Sequence, residues 1–121
     1  LPLIGWLNLP IGKGKPDWRN QEAAKNHVDY PFYSTHAILE LNKLIKVMQD
    51  ELPNVKMPVL LVQSRTDAAI PGDSMDSLFQ RIHSIDKSKF WVEDSGHVVI
   101  REPEREKIFA EVKSFLKRIQ G

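Results

Sequence analysis

An α/β fold is predicted: two parallel strands joined by a crossover helix, flanked by further helices and preceded by an irregular, lid-like stretch. Two runs carry that class. Met57-Pro58-Val59-Leu60-Leu61-Val62-Gln63 is continuously apolar, entered through a proline and left through Ser64-Arg65-Thr66-Asp67, the pattern of a strand covered on both faces. Lys89-Phe90-Trp91-Val92-Glu93 is β-branched and aromatic and breaks into the turn formers Asp94-Ser95-Gly96, so a second strand ends just before His97. Between them Met75, Leu78, Phe79 and Ile82 recur at spacings of three and four, an amphipathic helix opened by Asp73 or Ser74. Strand, helix and strand from Val59 to Val92 suffice for one right-handed crossover.

The remaining elements follow along the chain. Residues 1–12 are apolar but punctuated by Pro2, Gly5, Pro10 and Gly12, which argues against a long helix and for a mobile lid. Lys13 to Asp17 is a polar linker, and a short helix within Trp18 to Tyr30 is broken by Pro31. A longer helix starts at Ser34 or Thr35, with Ile38, Leu41, Ile45, Met48 and Leu52 on one stripe, and ends before Pro53. After the histidine loop, Pro103 suits a first helical position, and Ile108, Phe109, Val112, Phe115, Leu116 and Ile119 line one face. Glu102, Glu104 and Glu106 at its start and Lys117 and Arg118 near its end complement the helix dipole. The organisation expected is a lid over residues 1–33 and a core over 34–121.

Composition narrows the function. Seventeen basic and sixteen acidic residues are interspersed, for a net charge of +1, so no polyanion field exists and nucleic acid is not an expected partner. The absence of cysteine removes disulfides and thiol catalysis. No apolar run approaches a membrane span and no secretory signal is visible, from which a cytoplasmic location is expected. Metal-ligand spacing such as His-x-x-x-His is missing, and no cofactor is expected. His27, His36 and His83 read as ordinary surface histidines.

Asp67 and His97, thirty positions apart, each fall just past the carboxyl end of a predicted strand, where ligand crevices of open α/β sheets lie. Either residue has a plain alternative, Asp67 as a turn former before Pro71 and His97 as a loop histidine. Trp6, Leu7 and Leu9 either line an apolar pocket or pack as core. Ser74 and Ser95 are poor nucleophiles: the first opens a helix and the second sits too close to His97 along the chain. The flanking carboxylates Glu93 and Asp94 read as solvated loop charges.

The runs Leu60-Leu61-Val62-Gln63-Ser64-Arg65-Thr66-Asp67-Ala68-Ala69-Ile70-Pro71 and Asp94-Ser95-Gly96-His97-Val98-Val99 resemble the acid and base segments of the α/β-hydrolases, in the branch of bacterial carboxylesterases and monoacylglycerol lipases. The family's Gly-x-x-Asp-x-x-Val-Pro is matched at Asp67, Ile70 and Pro71, with Ser64 replacing the glycine. The stretch before Met57 is similar to that branch's cap and return helix.

The resemblance implies a partial α/β-hydrolase fold, the cap plus the C-terminal half, with Asp67 as triad acid and His97 as triad base. Ile70 and Val98, with Trp6, Leu7 and Leu9 of the lid, are then expected beside an apolar acyl ester. No Gly-x-Ser-x-Gly elbow is present, since Gly72-Asp73-Ser74-Met75-Asp76 has Asp76 where the second glycine belongs. In this fold the nucleophile precedes acid and base in the chain, so it is expected upstream of Leu1, and the 121 residues alone are expected to be inactive. The unpartnered sheet edges predict either the missing N-terminal half as partner or self-association. Alternatives are a thioesterase, dehalogenase or peroxidase on the same fold, or a non-catalytic association module.

Overall fold

The computed structural model of the chain describes residues 8–121. They form two compact units: residues up to Lys15 together with Val28–Leu52, and Pro16–His27 together with Pro53–Gly121.

In the first unit a short antiparallel hairpin pairs β1, Pro10–Gly12, with β2, Phe32–Ser34. Helix α2, Thr35–Glu51, follows directly, its first turn closed by the Ser34 hydroxyl, which accepts the Ala37 amide at 3.0 Å. The helix starts where the sequence indicates. Of its expected apolar stripe, Leu52 is buried, whereas Leu41, Ile45 and Met48 are exposed. The hairpin is a finding beyond the periodicity, for strands of three residues are too short to show alternation.

The second unit holds the predicted crossover. Strand β3, Val59–Ser64, runs parallel to β4, Lys87–Val92, in a register pairing Val59 with Lys87 and Ser64 with Val92. Helix α3, Ser74–Arg81, connects them, and α4, Arg105–Gln120, closes the unit. Met75, Ile82, Val92 and Ile108 form its dry centre, each burial contributing about 1.5–3 kcal/mol relative to exposure. A short helix α1, Gln21–Lys25, capped by Asn20, also belongs here.

Four local expectations are corrected. The second strand starts at Lys87 and ends at Val92, because Glu93 already belongs to the turn into the histidine loop. Helix α1 stops at Lys25, before Pro31 can act on it. Pro103 is not the first residue of α4: it lies in a turn after the 3₁₀ segment Val99–Arg101, and the helix begins at Arg105. Glu102, read as a charge for the helix dipole, is fully buried and serves a different purpose.

Candidate active site

The loop after β3 is shaped by the Asp67 carboxylate. Its Oδ1 accepts the amides of Ala69 at 2.8 Å and Ile70 at 2.9 Å, so the side chain closes its own turn. The second oxygen stays available, and Oδ2 lies 2.9 Å from His97 Nδ1. Turn former and imidazole partner are therefore one residue using two oxygens. Asp67 has 5% of its side chain exposed against 49% for His97, so the carboxylate is sunk and the ring reaches toward solvent. Burial pulls the Asp67 carboxyl upward, but hydrogen bonds from His97 and from the Ile70 and Ala69 amides outweigh it, and its pKa lies below the ordinary value.

The start of α3 is fixed from inside the sheet. Gln63, buried on β3, donates to the Pro71 carbonyl at 3.0 Å and accepts the Met75 amide at 3.1 Å. Asp73, at the N-cap, makes no side-chain capping bond, so Gln63 takes over the satisfaction of a first-turn amide.

The histidine loop is held from beneath. The Ser64 hydroxyl, almost fully buried, lies 2.5 Å from the Ser95 carbonyl and 3.3 Å from the Ser95 amide. Glu104 accepts the Asp94 amide and the Ser95 hydroxyl through Oε2, at 2.8 and 2.9 Å. The Asp94 amide is the largest influence that brings the Glu104 carboxyl down to about 2, with Lys107, Ser95 and Glu93 adding to it against the opposing effect of burial.

Asp67 and His97 share a cleft of about 280 Å3 with Leu61, Val62, Ile70, Met75, Leu78 and Val99 among its walls. Ile70 is thus one of the walls beside the pair. Val99 lines the cleft where Val98 was expected; Val98 instead precedes the 3₁₀ turn. Leu9 lies in the other unit, where its amide is bound to the Thr35 hydroxyl at 2.9 Å. Trp6 and Leu7 fall outside the described residues. Among the described residues no cluster of three His, Cys, Asp or Glu is placed to hold a metal, and no helix is long and apolar enough to cross a membrane.

No protein-family model matches the chain. A carboxylesterase of Bacillus subtilis (strain 168) is 27% identical over 107 residues, 88% of this chain and 42% of that protein. A chain from the structures of LipS and LipT, two metagenome-derived lipolytic enzymes, superposes with a TM-score of 0.71 at 30% identity over 76% of this chain and 38% of its own. The chain has a partial α/β-hydrolase fold. Its fold is also that of a Paleococcus ferrophilus monoacylglycerol lipase, at a TM-score of 0.77 and 20% identity over 96% of this chain and 49% of the lipase. The chain spans less than half the length of each of these relatives.

Within that fold the chain has one informative departure. Ser64, standing where the motif carries glycine, is the residue whose hydroxyl ties the acid strand to the base loop. Sequence reasoning missed this, along with Gln63, Glu104, Glu102 and Asp17. Ser64 carried a signal in being the mismatch; Asp17 sat in an ordinary polar linker and carried none.

Proposed function

We propose that this hydrolase chain supplies the acid, Asp67, and the base, His97, of a carboxylic-ester hydrolase whose serine nucleophile comes from residues outside these 121. The observation that carries the reading is the 2.9 Å contact between Asp67 Oδ2 and His97 Nδ1 past the ends of adjacent parallel strands. With Nδ1 committed to the carboxylate, Nε2 is the nitrogen that takes the serine proton. Asp67 then fixes the tautomer and stabilises the imidazolium as the acyl-enzyme forms. His97 returns that proton to the leaving alcohol, and in the second half activates the water that releases the acid. The apolar cleft walls favour a small apolar acyl chain.

On this reading the chain alone lacks the nucleophile and is inactive, and it requires either the residues that complete the sheet or a second copy of itself to cover its edges. The test is turnover of short-chain nitrophenyl esters by the full-length protein and by the 121-residue chain. Hydrolysis by the former that His97→Ala abolishes, with none by the latter, is the expected result. Turnover by the 121-residue chain that disappears in His97→Ala would overturn it, since a local serine would then be the nucleophile.

A further inference from the structure

Asp17 lies fifty residues before the acid in the chain, yet its carboxylate touches both loops of the candidate site. Oδ2 accepts the amide of Ala68 at 2.9 Å and the amide of His97 at 2.9 Å. Ala68 directly follows Asp67, and the His97 amide belongs to the base itself. One oxygen atom therefore fixes the separation of the two backbones at the points from which the paired side chains project. Because the acceptor is a carboxylate, these are charge-assisted bonds, stronger than neutral ones.

The segment carrying Asp17 is itself anchored. Glu102 Oε2 accepts the amides of Arg19 at 2.9 Å and Asn20 at 3.1 Å, the Asn20 side-chain amide donates to the Arg101 carbonyl at 2.8 Å, and Arg19 Nε meets Asp94 at 2.9 Å. Gly96 completes the fit. A Cβ there would stand 2.5 Å from the Asp17 carbonyl oxygen and 2.9 Å from its Oδ1, so the histidine loop admits Asp17 only because residue 96 has no side chain.

We infer that Asp17 is a positioning residue whose carboxylate clasps the acid loop to the base loop and so keeps Asp67 and His97 aligned. The inference rests on the acid–base reading above. Its effect falls on turnover, because Asp17 acts through the two backbones, and displacement of paired groups by about 1 Å can cost about a hundredfold in rate.

The experiment compares wild-type full-length protein with Asp17→Ala, Asp17→Asn and Asp67→Asn, by nitrophenyl ester kinetics and by the hydrogen-bonded His97 Nδ1–H proton resonance. Asp17→Ala should lower kcat about 10- to 100-fold with KM within about twofold, and should broaden or lose the Nδ1–H resonance. Asp17→Asn keeps an oxygen that can accept both amides and should restore most of the rate and the resonance. Asp17→Ala with wild-type kcat and an unchanged resonance overturns the clasp while leaving the acid–base pair standing. If instead Asp67→Asn changes neither kcat nor the resonance, the acid–base reading has failed on its own account, and the clasp falls with it. Should Asp17→Ala not fold, amide hydrogen exchange in the wild type decides: slow exchange at both Ala68 and His97 supports the clasp, and exchange at the rate of free loop amides overturns it.

Discussion

The two units hold their chain in different ways. Around Asp67 and His97 the loops are tied by side chains reaching backbone from distant places: Gln63, Ser64, Asp17, Glu102 and Glu104 each bind one or more amides or carbonyls across a loop. In the unit built from the hairpin and α2 such ties occur at its corners, Leu9 to Thr35 and Ser34 to Ala37, beside a side-chain ion pair of Lys13 with Asp29. Many of its large apolar side chains stay open to solvent, Leu44 at 63% and Val47 at 59% among them. The contrast has a physical logic: a carboxylate and an imidazole from separate loops must meet within a few tenths of an ångström, whereas a helix needs only its own ladder to keep its shape.

Mutations can break or sharpen that contrast. The largest effect is expected at the pair itself: Asp67→Asn should lower turnover of the full-length protein about ten-thousandfold, checked by ester kinetics, with the fold preserved by circular dichroism. A loss under tenfold would return Asp67 to its turn-forming task alone. Next comes the packed centre of the second unit, where Ile108→Ala should cost about 2–5 kcal/mol in denaturant unfolding, because the site is 2% exposed and closed on all sides. Ser64→Ala should cost about 1–3 kcal/mol by leaving the Ser95 amide without its buried partner and the Ser95 carbonyl with the Thr66 hydroxyl alone. At the small end, Leu44→Ala on the open face of α2 should change stability by less than about 0.5 kcal/mol in the 121-residue chain. A cost like that of Ile108→Ala would show that the two units do not differ as described.

Acid provides another lever, with a definite sign. Glu104 holds its proton less tightly when folded, near 2, than the ordinary 4.5, so the unfolded chain gains protons first as pH drops. Its stabilisation of the histidine loop is complete above about 4.5 and is lost as pH falls toward 2. Glu104→Gln should accordingly be less stable than wild type at neutral pH, with the gap closing across that window in a pH series of unfolding midpoints. A gap that stays constant across the series would assign the Glu104 contribution to shape instead of charge.

The sequence made the crossover legible because a continuous apolar run and a three-four periodicity survive in any context that buries them. The pair Asp67 and His97 was legible for a related reason, each marking the point where an apolar run gives way to a turn. The ties around the pair were not. Asp17 and Glu102 bind backbone amides 80 and 83 residues distant, and a backbone amide carries no residue identity that a one-dimensional pattern could register. Strands of three residues, like Pro10–Gly12, offer one full alternation at most, so the hairpin had no period to display.

The order of the units along the chain bears on how this protein can be cut. The chain crosses between them at Lys15–Pro16, His27–Val28 and Leu52–Pro53, so the unit with the strands is discontinuous, its Pro16–His27 portion spliced in from far upstream. Trimming to what looks like a tidy minimal domain, starting at Pro53, would keep β3, β4, α3, α4 and the Asp67–His97 pair. It would also strip Glu102 of the amides that accompany its burial and leave an open trough over Gly96. The stretch of chain that this unit draws on is therefore longer than its secondary structure suggests, and it reaches back to Pro16.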